Sequence, residues 1–201
     1  KAHKFQTEIE PVIIETPKGT QIVDQDQQPF NAKPEKIPKL RPAFKDNGTV
    51  TAANASSISD GAAALALMLP SQAQAQGIKP IALIHGYQQV AHEPEWFTTA
   101  PVAAIEKTLK QVGWSQSDVD LWEINEAFSV VALAAMQDLG ISHNQLNIHG
   151  GACALGHPIG ASGARIIVSL IHALQHAHVK KGIASLCIGG GEATAVALEL
   201  V

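Results

Sequence analysis

The sequence holds only two cysteines, Cys153 and Cys187, in 201 residues. That excludes a disulfide framework and points to a reducing compartment, so a cytoplasmic setting is expected. Aromatics make up 4% of the chain and charged residues 16%, with a formal net charge of −4. A protein that neutralises phosphates is basic and one that stacks bases is rich in aromatics, so no nucleic-acid partner is expected. No apolar run approaches the ~18 residues of a membrane-spanning helix, which argues against a membrane partner. The opening Lys1-Ala2-His3-Lys4-Phe5 lacks the apolar stretch and cleavage site of a signal peptide. An initiator Met is missing as well, and a chain that opens directly into charged, polar sequence reads as a piece of something longer.

What is present is 46% hydrophobic, enough for a sizeable core. Residues 1–50 are broken by Pro11, Pro17, Pro29, Pro34, Pro38 and Pro42. The β-branched pieces at 12–14 and 21–23 read as brief strands, residues 24–31 as a surface loop, and 34–42 as irregular chain. From Asn54 the texture changes. The small-residue run 61–68 predicts a buried helix capped by Ser59 or Asp60, with Pro70 extending or restarting it as far as Gly77. Beyond it the patterning predicts strands at 81–84, 121–124, 145–148, 183–188 and 194–200, and helices at 101–111, 129–139 and 162–178. Strands alternating with helices indicate α/β layering, and small residues on the helices suit a layered αβα interior. The last two strands, separated by Gly189-Gly190-Gly191, should be antiparallel neighbours.

Three stretches could carry chemistry. Asn125-Glu126-Ala127-Phe128 follows a strand, where side chains point into a crevice; equally, Asn and Glu there could cap the next helix. The window 149–165 holds five glycines, so its backbone adopts positive φ or approaches something closely. His157 is locked in it between Gly156 and Pro158, which favours function over a structural role. Cys187 ends an apolar strand just before three glycines. That position suits a small buried hydrophobe, or a thiol left uncovered beside free N–H groups for proton transfer with a histidine. Cys153 has nothing flanking it that would lower its pKa. His172 and His176 have the i, i+4 spacing of a metal pair but no third ligand, and read as a solvated helix face. No metal is expected.

Together these stretches resemble the thiolase family, the acetyl-CoA acetyltransferases and 3-ketoacyl-CoA thiolases. Asn125 to Phe128 is similar to the family's Asn-Glu-Ala-Phe motif, Gly150 to Arg165 to its Gly-His-Pro signature, and Cys187 to Gly191 to its Cys-x-Gly-Gly-Gly. The resemblance extends to Arg41-Pro42-Ala43-Phe44, to residues 48–52 and to Asn54-Ala55-Ser56, so it spans essentially the whole chain. It implies a thiolase-like layered αβα C-terminal domain (56–201) preceded by the irregular end of the coenzyme A-binding loop domain (1–55). A complete thiolase is about twice as long, and its acyl-carrying cysteine lies in an N-terminal half that this chain does not match.

The resemblance implies the following roles. Cys187 moves the α-proton of acetyl-CoA, and His157 activates the absent cysteine. His157 and a water held by Asn125 stabilise the enolate oxygen, while the Gly189 N–H helps form a second oxyanion hole. Ser56 would contact coenzyme A, and Ala127 and Phe128 would line the pantetheine tunnel. Coenzyme A thioesters would be substrate and product, with no tightly bound cofactor. The partners implied are acyl-CoA substrates, the missing N-terminal half, and further copies in a homodimer or homotetramer. The leading reaction is condensation of two acetyl-CoA to acetoacetyl-CoA, fatty-acid-type chemistry that runs reversibly. The alternatives are a degradative thiolase of broader chain length, or a non-catalytic fragment. Two departures stand out: no Arg precedes Arg41 to stack on adenine, and Phe97-Thr98 stands where many relatives have Met-Gly.

Overall fold

The computed structural model describes residues 3–201; Lys1 and Ala2, the start of the segment read as unlike a signal peptide, lie outside them. The two β-branched pieces form an antiparallel hairpin, β1 (Val12–Thr16) and β2 (Gly19–Val23). The loop expected at 24–31 closes with a single helical turn, α1 (Gln28–Asn31), and the stretch expected to be irregular contains a 3-10 helix at Pro34–Lys39. Prolines in the first turn of each have the φ that a helix start requires.

The helix expected at 61–68 does not form. The segment is neither helix nor paired strand, and Leu67 and Met68 are 71% and 40% exposed, so the expected burial fails too. Contacts from outside set its path. Ile58 bridges His157, the His157 N–H donates to the Ser57 carbonyl at 3.1 Å, and a Cβ on Gly61 would lie 2.6 Å from the Pro158 ring. These pin the entry to the segment, and alanine's helical propensity is the weaker influence. Ser59 caps nothing; its hydroxyl bonds Ser57 instead. A helix does begin at the next proline, α2 (Pro70–Ala75), and stops before Gly77.

The main sheet contains β3 (Ala82–Ala91), β4 (Leu121–Ile124), β5 (Lys181–Cys187) and β6 (Glu192–Leu200) in the order β3-β6-β5-β4. As expected from the glycine turn, β5 and β6 are antiparallel; β4 runs parallel to β5 and β3 antiparallel to β6. The expected strand at 81–84 continues to Ala91 because its polar second half still finds a ladder partner in β6. The helices are α3 (Ala100–Val112), α4 (Ser129–Leu139), α5 (Ala152–Leu155) and α6 (Ser162–Ala177). Gly113 and Gly140 end α3 and α4 in the left-handed conformation. The short α5 interrupts a window that reads as continuous loop in the sequence.

Helices cover both faces of the sheet. Trp122 and Ile124 of β4 pack with Ile105 of α3 and Val131 and Ala135 of α4. Leu121 packs on the opposite side with Ile166, Leu170 and Leu174 of α6. Ala193, Ala195 and Ala197 keep β6 thin enough for α3 to approach, and the Thr108 hydroxyl lies 3.3 Å from the Ala195 carbonyl. This is the αβα layering that the alternation of elements predicts. The strand expected at 145–148 shrinks to one bridge between Leu146 and Trp122. Beyond it Asn147, at φ 47°, pairs through its side chain: Oδ1 accepts from the Ile124 N–H and Nδ2 donates to the Ile124 carbonyl, both at 2.9 Å. A side-chain amide thus takes the place of a neighbouring strand.

Candidate active site

Because β4 and β5 are parallel, both end on the same side of the sheet, where α/β proteins open their crevice. Asn125 follows β4, its N–H donating to the Ser185 carbonyl at 2.9 Å, and Cys187 closes β5. Asn125 is not a helix cap: α4 starts at Ser129 with Phe128 at its N-cap, and no side chain caps it. Instead Asn125 is 1% exposed, with Nδ2 3.3 Å from His157 Nε2.

His157 Nδ1 lies 2.6 Å from Ser162 Oγ, at the first turn of α6. The Ser162 hydroxyl gives its single proton to the Pro158 carbonyl at 3.0 Å. Nδ1 therefore carries hydrogen and donates to Ser162, which leaves the Nε2 lone pair facing Asn125. Burial, followed by the charge of Arg165, holds the His157 pKa below its ordinary value, so the ring is a neutral base at pH 7. Asn125 Oδ1 is buried without a hydrogen-bond partner, a free acceptor beside that base.

Cys187 differs from the uncovered thiol considered above. It is 6% exposed within the core beside Ala193, and burial pushes its pKa up to about 11. The glycine turn uncovers Gly189 and Gly190 instead, and the Gly189 N–H makes no backbone hydrogen bond among the described residues. Along the other wall, residues 54–56 run beside 127–129. Ala55 bridges Phe128, and the Ser56 N–H and hydroxyl both donate to the Ala127 carbonyl, at 3.0 and 2.9 Å. Phe128 meets Phe44 and Phe97 edge-on, with centroids 5.9 and 6.1 Å apart. The same segment reaches His157 two residues later through Ile58.

Sequence reasoning overlooked the residues that hold this arrangement. Glu126 also fails as a cap for α4; its carboxylate accepts from the Cys153 N–H at 3.0 Å and from Asn147 Nδ2 at 3.3 Å, tying the glycine loop to the end of β4. Gly151 allows this approach, since a Cβ there would overlap the Glu126 carboxylate. Burial and then Glu126 push the Cys153 thiol up to about 12, which keeps it protonated. Ser162 carried one legible signal, a hydroxyl at a helix start five residues after the histidine. Among the described residues no three metal-ligating side chains come together; His172 hydrogen-bonds Thr7 and His176 stacks against His149.

Gly156 precedes His157 at φ +99°, and a Cβ there would overlap the Ser59 hydroxyl. Gly156→Ala is expected to destabilise the fold by about 1–3 kcal/mol, measured by urea denaturation. A variant as stable as wild type would mean that the loop does not need this conformation.

Glu123, on β4, is 2% exposed, and burial pushes its pKa up to about 8 despite the charge of Arg165. A folded pKa above the unfolded value of about 4.5 means stability that is full below pH 4.5 and is lost as pH rises towards 8. Glu123→Gln removes that loss, so its melting temperature relative to wild type should rise between pH 5 and 8. A pH-independent difference would refute the assignment.

The family models for "Thiolase, C-terminal domain" and "Thiolase, N-terminal domain" match residues 78–200 and 1–71. The chain thus belongs to the thiolase family. It is 49% identical over 201 residues to the acetyl-CoA acetyltransferase of Chromobacterium violaceum, covering 99% of this chain and 51% of that one. It is 51% identical over 189 residues to the probable acetyl-CoA acetyltransferase of Dictyostelium discoideum, covering 94% and 45%. The crystal structure of the Bacillus anthracis acetyl-CoA acetyltransferase superposes with a TM-score of 0.95 at 41% identity, over 100% of this chain and 51% of that one. The Ascaris suum Acat5 thiolase, solved in complex with coenzyme A, gives 0.84 at 39% identity, over 98% and 50%. The chain spans about half the length of the relatives it matches.

Proposed function

We propose that this chain supplies the C-terminal half of a short-chain thiolase, which reversibly condenses two acetyl-CoA to acetoacetyl-CoA and free coenzyme A. The observation that carries this reading is the Asn125–His157–Ser162 relay, which presents a neutral Nε2 at the sheet end where Cys187 also lies. In this reading residues 1–55 end the coenzyme A-binding loop domain, and residues 56–201 form the C-terminal domain. Ser56, Ala127 and Phe128 lie along the pantetheine path, with no tightly bound cofactor. The complete protein works in the cytoplasm as a homodimer or homotetramer.

The chemistry follows from the groups present. His157 Nε2 takes the proton of an acyl-accepting thiol from the N-terminal half; that sulfur attacks the thioester, the thioester C–S bond breaks, and the departing coenzyme A thiolate takes the thiol proton of Cys187, leaving Cys187 as the thiolate. The Cys187 thiolate then takes an α-proton from the second acetyl-CoA. Burial makes that thiolate more basic than an ordinary one and brings it closer to so weak a carbon acid. The enolate oxygen is met by His157 Nε2, once it has gained its proton, and by a water that donates one hydrogen to it and the other to Asn125 Oδ1, the buried acceptor without a partner. The enolate carbon attacks the acyl-enzyme, the new C–C bond forms, and the acyl-carrying sulfur leaves. The Gly189 N–H faces the thioester oxygen in this step.

Both cysteines of this chain are protonated at neutral pH, and in this reading neither is the acyl acceptor, which lies in the N-terminal half. The 201-residue chain alone should therefore form no acyl adduct with acetyl-CoA by intact-mass spectrometry. Joined to the N-terminal half of a relative, it should cleave acetoacetyl-CoA in preference to longer 3-ketoacyl-CoA substrates. A stable adduct on Cys153 or Cys187, or a preference for the longer chains, would overturn this reading.

A further inference from the structure

A partly buried cluster of ionisable side chains lies behind the relay and takes no part in the chemistry above. Arg165 is on α6, one turn after Ser162, and Glu123 is on β4, two residues before Asn125. Arg165 Nη1 approaches Glu123 Oε2 at 3.7 Å and donates to the Ser169 hydroxyl at 3.5 Å. Residues i and i+3 share a helix face, and residues i and i+2 share a strand face, so this contact joins the two elements directly behind Ser162 and Asn125. Two further carboxylates face the same guanidinium. Glu8 of the N-terminal arm is half-buried beside Ser169, and the exposed Asp26 follows β2. Both, with Arg165 and Ser169, line a cavity of about 600 Å³ between the arm, residues 60–64 and α6. Glu126, at the end of β4, also bears on Glu123.

We propose that Arg165 is a positioning residue for His157: its buried contact with Glu123 locks α6, and Ser162 with it, against the strand that carries Asn125. Holding a guanidinium against the buried Glu123 carboxyl is costly for packing alone, because apolar side chains of similar size would avoid the desolvation. Here the cation has a geometric task. His157 is held in one tautomer by Ser162 Oγ on one side and Asn125 Nδ2 on the other, 2.6 and 3.3 Å away. Sliding α6 relative to β4 would break one of these bonds, and the Arg165–Glu123 contact opposes that slide. The positive charge also disfavours an imidazolium at His157, in the loop before α6. The Glu123 proton should therefore be felt at His157.

This inference rests on His157 being the base of the proposed reaction, but its test reads the ring directly and needs no turnover. The 201-residue chain, labelled with ¹⁵N and ¹³C on histidine, is titrated by NMR. In wild type, His157 should show the Nδ1–H tautomer, titrate below pH 6.5, and show a second, smaller inflection near pH 8 as Glu123 ionises. Glu123→Gln should keep the tautomer and lose the second inflection. Arg165→Gln should raise the His157 midpoint and populate the Nε2–H tautomer, and Arg165→Lys should restore at least part of both. If Arg165→Gln does not fold, the wild-type inflection and its loss in Glu123→Gln decide the matter. A His157 that titrates identically in wild type, Arg165→Gln and Glu123→Gln overturns the proposal. Intact coupling in a chain that proves inactive with every N-terminal half would instead overturn the proposed function and leave the positioning role standing.

Discussion

Cys187→Ser, in the chain joined to an N-terminal half, is expected to lower acetyl-CoA condensation by a factor on the order of 10²–10⁴, with acyl-enzyme formation largely intact. Serine fills almost the same volume, so the β5 end and its packing against Ala193 should survive. Its hydroxyl, however, is far too weak an acid to exchange a proton with an α-carbon at neutral pH. The thiol is already pushed up to about 11 by burial, the direction that strengthens its conjugate base. Exchange of the acetyl protons of acetyl-CoA with deuterated solvent, followed by NMR or mass spectrometry, should fall in step with condensation. Exchange at the wild-type rate would reduce Cys187 to a packed core residue.

His157→Ala should impair both halves of the proposed reaction, in which one ring is assigned both as the base for the acyl-accepting thiol and as a donor to the enolate oxygen. Loss of a single oxyanion donor costs on the order of 10²–10³ in rate, and loss of general-base help on the order of 10²–10⁴. A stopped-flow acylation assay and the solvent-exchange assay should therefore both fall at least a hundredfold. Ser162→Ala should fall less in both, because it removes only the group that accepts from Nδ1 and selects the tautomer. A His157→Ala variant that acylates normally and fails only in exchange would confine the residue to the oxyanion hole.

The two assays also divide the site between its elements. Cys187 sits at the end of β5, where the sheet ladder fixes it, whereas His157 sits in a loop whose position depends on Ser57, Ser162 and the strap from Glu126 to the Cys153 N–H. Variants of the strap residues should therefore alter His157-dependent acylation before they alter the environment of Cys187.

The sequence by itself determined the elements whose information is local. Pro101 and Gly113 bracket α3, Gly140 stops α4, and the triple glycine makes β5 and β6 antiparallel neighbours. It also pointed to the residues that the proposed chemistry uses, because a histidine between Gly156 and Pro158 and an Asn at a strand end leave a signature in the chain itself. Only the tertiary structure decided what depends on distant neighbours. Residues 61–68 have the composition of a helix and are pinned open by His157 and Pro158, far along the chain. Asn125 and Glu126 have the identity of caps and are instead turned towards His157, Asn147 and the Cys153 N–H. Cys187 precedes three glycines and is nevertheless covered by the core. Arg165 and Glu123 reveal nothing in one dimension, since a charge is exposed or buried according to what folds over it. Propensity and turn chemistry act over a few residues, whereas burial, tautomer and pKa are set by groups that only the folded chain brings within a few ångströms.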